Sequence, residues 1–113
     1  MKYMLLIHDS EKVWGTLSQD EQQQIMADYR RFSEEIKATG QYLAGSQLQP
    51  TSAATSVRVR NGKRVVTDGP FAETREQLGG YYLVNAKDLD EAIGLAERLP
   101  SAKLGTIEIR PLA

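Results

Sequence analysis

The sequence predicts an α+β sandwich in which two helices cover one face of an antiparallel sheet. Three observations carry that expectation. Residues 2–8 are apolar on both alternating faces, with Tyr3, Leu5 and Ile7 on one side and Met4, Leu6 and His8 on the other; such a strand is central in its sheet or covered on both sides. Residues 18–40 and 88–99 repeat apolar side chains at helical spacing. Residues 57–67 read as a two-residue hairpin around Asn61-Gly62.

After the first strand, residues 9–17 read as a loop carrying Trp14 and Gly15. Ser18 and Glu21 stand at capping-box spacing and open the first helix. Its inner face is Ile25, Tyr29, Phe32 and Ile36, and Gly40 ends it. A strand is expected over 41–48, with Gly45 as its weak point, followed by a loop from Pro50. In the hairpin, pairing about Asn61-Gly62 puts Arg60 with Lys63, Arg58 with Val65, Val57 with Val66 and Thr55 with Asp68. One hairpin face then shows Val57, Val59 and Val66, and the other a basic patch of Arg58, Arg60 and Lys63. Residues 81–86 give a further strand. Asp88 and Glu91 open a second helix through Leu89, Ala92, Ile93, Ala96 and Leu99, stopped by Pro100, with Gly94 expected to allow close packing on the sheet. Residues 106–110 alternate as the last strand.

The order is β-α-β, an inserted hairpin, then β-α-β, which is a ferredoxin-like sandwich. With both helices on one sheet face, the other face needs a cover, and a second copy of the chain supplies one. A homodimer packed through sheet faces is therefore expected.

The 113 residues suit one domain, 1–113, with one core. A net charge of −1 removes the concentrated basic field that nucleic-acid binding needs. The absence of cysteine excludes disulfides and thiolate metal sites. No apolar run approaches the roughly 18 residues of a membrane span, and the N-terminus lacks the form of a signal peptide. A bacterial cytoplasmic protein without cofactor, resident metal, nucleic-acid partner or membrane contact is the expectation.

Residues 68–80, Asp-Gly-Pro-Phe-Ala-Glu-Thr-Arg-Glu-Gln-Leu-Gly-Gly, hold more turn-formers and charge than chain reversal needs. Asp68 before Gly69-Pro70 reads as ordinary turn chemistry or as a carboxylate at a pocket rim, acting as base or acceptor. His8 is the single histidine and either ends a strand half-exposed or pairs across space with Asp68. Phe71 is an anchor or a pocket wall. Glu73 and Glu76 share a face if their stretch is helical. Arg58, with its basic neighbours, is a solvated edge or a site for an anionic ligand or acidic partner. Tyr81 and Tyr82 point to opposite faces, one into the core and the other with its hydroxyl toward a pocket or a dimer seam. Trp14 either closes over a cleft or caps the core.

Residues 68–83, together with Lys2-Tyr3-Met4-Leu5-Leu6-Ile7 and Lys87-Asp88-Leu89-Asp90-Glu91-Ala92, resemble the DGPF-motif branch of the YCII-related proteins. The resemblance covers nearly the whole chain. It implies a ferredoxin-like α+β fold, a dimer, bacterial origin and a link to extracytoplasmic-function sigma factors. In the better-known YCII branch, a His–Asp pair lines a cleft, with its His early in the first helix. One relative with that pair removes chloride from a chlorinated hydroxyquinol. Residues 18–38 contain no His here, so that pair does not carry over and only Asp68 with its motif neighbours does. Two function classes follow. One is a small-molecule-binding or regulatory dimer, with Gly69, Pro70, Phe71, Glu73, Tyr81 and Arg58 about the ligand. The alternative is an acid–base enzyme, lyase or dehydrochlorinase-like, with Asp68 as base and His8 assisting.

Overall fold

A computed structural model describes all 113 residues, Met1–Ala113. The elements are β1 (Lys2–Asp9), α1 (Glu11–Thr16), α2 (Gln19–Ala38), β2 (Tyr42–Gln47), a 3-10 turn (Thr51–Ala53), β3 (Thr55–Arg60), β4 (Lys63–Asp68), β5 (Gln77–Asn85), α3 (Leu89–Glu97), α4 (Ser101–Leu104) and β6 (Thr106–Pro111). Four strands form one antiparallel sheet in the order β2-β5-β1-β6, and β3 pairs with β4 apart from it. This is the ferredoxin-like α+β arrangement, with the β3–β4 hairpin inserted between the second and third strands of the sheet. No helix is long and apolar enough to cross a membrane.

β1 is central, as its two apolar faces require. Tyr3, Leu5 and Ile7 point to the helices and are buried with Phe32 and Ile36 of α2, Tyr82 and Val84 of β5, and Leu95 of α3. Burial of one such aliphatic side chain is worth about 1.5–3 kcal/mol. Tyr82 stacks edge-on against Phe32, with ring centres 5.3 Å apart. Met4 and Leu6 point the other way, opposite Leu83 and Tyr81 of β5, and form an apolar outer face.

Ser18 accepts the Glu21 amide at 3.1 Å and Glu21 accepts the Ser18 amide, a complete capping box. Asp88 accepts the Glu91 amide at 2.9 Å, but Glu91 turns to the Lys87 amide, so α3 has only half the motif.

The hairpin register is the one read from Asn61-Gly62, including Thr55 opposite Asp68. Both turn residues have positive φ, 53° and 73°, which suits the right-handed twist of the strands. Arg64 stands opposite Val59 and Val65 opposite Arg58, so each face mixes valine with a basic side chain.

Several expectations need correction. Residues 9–17 are not a loop, because Ser10 caps α1 by accepting the Val13 amide. Pro100 does not merely stop a helix; it leads directly into α4. Gly94 is exposed and approaches nothing closely, so it is no packing contact. The irregular part of residues 68–80 is shorter than expected, because β4 runs to Asp68 and β5 begins at Gln77. The stretch holding Glu73 and Glu76 is not helical, which removes their shared helical face.

Leu5 is fully buried, whereas Val59 on the hairpin is 63% exposed. In urea denaturation Leu5→Ala should cost about 2–5 kcal/mol. Val59→Ala should change stability by no more than about 0.5 kcal/mol.

Candidate functional site

Between α1, α2 and the helix-covered face of the sheet lies a cleft of about 640 Å³. Gly80 pairs with Ile7 and Gly45 with Tyr82, so both glycines stand on the helix-facing side. A Cβ on Gly45 would come within 3.0 Å of the Tyr82 ring. Gly45 is thus roofed by the Tyr82 and Tyr42 rings, and a bulge between Ile7 and His8, which leaves Gly79 unpaired with β1, interrupts the sheet beside it. Trp14, Ile25, Met26, Tyr29, Tyr42 and Leu48 supply apolar and aromatic walls. Ile25 and Tyr29 lie on the inner face of α2 but are only half-buried, because they face this space.

α1 is tied down as one wall. Its Glu11 carboxylate accepts the Thr51 amide at 3.1 Å and the Thr51 hydroxyl at 3.3 Å. The Glu11 amide donates to Gln77 at 2.9 Å, and Gln22 of α2 donates to the Trp14 carbonyl at 2.9 Å. The cleft walls are thus cross-linked through β5, α2 and the 3-10 turn.

The inner end of the cleft is polar. Ser101, at the start of α4, is 1% exposed. Its hydroxyl donates to Asp9 Oδ2 at 2.6 Å and is also hydrogen-bonded to the Tyr29 hydroxyl. A carboxylate only accepts, so the single Ser101 proton goes to Asp9 and Tyr29 must be the donor to Ser101. Burial pushes the Tyr29 phenol up to about 12, so it is neutral at physiological pH. A second chain runs beside the first. Ser33 donates to the Tyr29 carbonyl at 3.0 Å and is 2.6 Å from the Tyr82 hydroxyl. The Ser33 proton being used, Tyr82 donates to Ser33; burial raises its pKa as well. Gly105 makes room for Asp9: a Cβ there would lie 2.1 Å from the His8 carbonyl and 2.8 Å from Asp9 Oδ1. That Oδ1 is buried with no hydrogen-bond partner.

The YCII-related domain profile matches residues 1–113, end to end. The chain belongs to the YCII-related family. An uncharacterized protein of Rhizobium meliloti (strain 1021) is 38% identical over 115 residues, which span 100% of this chain and 93% of that protein.

In this YCII-related chain the residues singled out from sequence stand mostly away from the cleft. Asp68 is exposed at the open end of the hairpin, and neither it nor Gly69, Pro70, Phe71, Glu73 or Arg58 lines the cleft. Phe71 is 81% exposed, so in the isolated chain it anchors nothing. The turn at Gly69 is held by its amide on the Ala54 carbonyl and by Ser56 on its own carbonyl, each at 2.7 Å. His8 faces the outer side of the sheet, with Nε2 3.6 Å from Glu108 Oε1, and no hydrogen bond or ion pair joins it to Asp68. Tyr81 borders the cleft through its strand but pairs with Leu6 on the outer face, whereas Tyr82 turns inward. Trp14 lines the cleft. Ser101 carries no signal of its own in the sequence, whereas Tyr29 falls on the inner face of the first helix and Asp9 stands at a strand end next to His8, facing the opposite side. No group of three His, Asp or Glu side chains is placed to hold a metal ion.

The Tyr29 phenol has a sign-definite effect. Its pKa rises from 10.0 to about 12 on folding, so it favours the folded state below pH 10. That contribution should be lost as pH rises through the window from about 10 to 12. Denaturation midpoints measured across it should fall more steeply for the native sequence than for Tyr29→Phe.

Proposed function

We propose that this protein is a small-molecule-binding dimer whose ligand sits in the cleft between α1, α2 and the sheet. The carrying observation is the cleft itself: about 640 Å³, walled by aromatic and aliphatic side chains, with Asp9, Ser101, Tyr29 and Tyr82 forming fixed polar chains at its inner end. An apolar pocket with a few convergent polar groups is the form small-molecule sites take. Tying α1 to the 3-10 turn and to β5 makes the pocket largely pre-formed, which lowers the entropic cost of binding.

The dimer reading rests on the outer sheet face. Met4, Leu6, Tyr81 and Leu83 form a contiguous apolar patch with no helix over it. A second copy laid on that face would cover both patches at once by two-fold symmetry.

A second reading, as a regulatory partner of an extracytoplasmic-function sigma factor, draws on the hairpin. It presents Val57, Val59, Val66 and Phe71 to solvent, each at least 54% exposed, beside Arg58, Arg60 and Lys63. Apolar and basic groups together suit an acidic partner surface. Acid–base chemistry has weaker support. Asp68 does not line the cleft, and Tyr29 is held neutral by burial and so is a poor base.

Two measurements test the main reading. In an NMR screen of metabolite-sized aromatic compounds, binding shifts should centre on the Trp14 indole and on Tyr29. Shifts confined to the hairpin or outer face would remove the cleft from consideration. In sedimentation, the native chain should run as a dimer and Leu6→Glu as a folded monomer. A monomeric native chain at micromolar concentration defeats the dimer.

A further inference from the structure

The direction of every hydroxyl proton at the inner end of the cleft is fixed, and from this we infer that the cleft selects a cationic ligand, an apolar body ending in a protonated amine. The inference rests on the proposed binding role of the cleft. The Ser101 proton is committed to Asp9, and the Tyr29 proton to Ser101. The Ser33 proton is committed to the Tyr29 carbonyl, and the Tyr82 proton to Ser33. Two phenol oxygens, those of Tyr29 and Tyr82, thus have their protons committed and can only accept. A ligand that brings an acceptor meets no donor among these groups, whereas one that brings N–H bonds meets several acceptors.

Charge acts in the same direction. Asp9 receives one hydrogen bond, from Ser101, and its other oxygen, buried against Gly105, has none. A carboxylate compensated this sparsely leaves a negative field at the cleft end, which a nearby cation relieves. The walls add to it, since Trp14, Tyr29 and Tyr42 line the cleft and aromatic rings attract ammonium groups. One such contact already exists within the chain: Lys37 Nζ lies 4.8 Å from the centre of the Tyr42 ring. The other charged groups bordering the cleft are Glu11, Arg30 and Glu34. Glu11 is engaged by Thr51, and Arg30, Glu34 and Lys37 are exposed on α2, where solvent and salt screen them.

The test compares three probes of one length, 4-phenylbutylamine, 4-phenylbutanol and 4-phenylbutyrate, titrated against the full chain and followed at the Trp14 indole N–H by NMR. The amine should bind about tenfold or more tighter than the carboxylate, the factor expected for a charge-assisted hydrogen bond. Asp9→Asn should bring that ratio close to one. Tyr29→Phe, which keeps Asp9 and replaces the phenol oxygen, should reduce it severalfold, so a folding defect in either variant leaves the other as the test. Equal or tighter binding of the carboxylate overturns the inference while leaving the binding cleft standing. An unchanged ratio in both variants has the same effect. If none of the probes perturbs Trp14, the cleft reading and this inference fall together.

Discussion

Ser101 is the buried polar side chain on which this fold turns. A hydroxyl shut away from water must find partners or cost several times what a satisfied one does. Ser101 finds two, and they come from opposite sides of the structure. Asp9 ends the central strand, 92 residues away, and Tyr29 lies on α2, 72 residues away. One oxygen therefore fixes α4 to β1 and α2 to both. The close approach of β6 to β1 depends on the same place, since Gly105 passes so near the His8 carbonyl that a side chain there would collide with it. The inner end of the cleft is a consequence of closing the fold, and its chemistry is set by the bonds that close it.

The architecture was legible in sequence because its signals are local. Asn61-Gly62 fixes the whole hairpin register, since a two-residue turn admits one pairing and every other pair follows from it. Tyr3, Leu5 and Ile7 alternating with Met4 and Leu6 mark a central strand without reference to any other segment. The missed elements are those with weak local signals. α1 spans six residues and buries no side chain fully, so its one mark is the Ser10 cap. Proline at position 100 marks a helix boundary, but whether one helix ends or another begins there is decided by packing.

The site was less legible, for the opposite reason. Asp9, Ser101 and Tyr29 are far apart in sequence and individually ordinary; only the sheet topology brings them together. Gly45 looks like a weak point in its strand, and its role, letting the Tyr82 and Tyr42 rings pack over the backbone, appears only when β2 and β5 are paired. Turn-formers and charges are dense in residues 68–80, but density in sequence is not convergence in space. That segment carries the hairpin's return into β5, and its exposed Phe71 faces solvent rather than the cleft.

β1 carries two chemistries because strand neighbours face opposite ways. His8 looks out beside Glu108 on the apolar outer face, and Asp9 looks in toward the cleft. The bulge opposite this pair lets β5 follow a strand that must serve both sides. His8 Nε2 has no hydrogen-bond partner although Glu108 lies 3.6 Å away, so the outer face has an unmet donor or acceptor where the inner face has an unmet Asp9 oxygen. Buried polar atoms left unpaired raise the free energy of the isolated chain. Two of them lie on adjacent residues, one on each face of the sheet: His8 Nε2 beside Glu108, and Asp9 Oδ1 against Gly105.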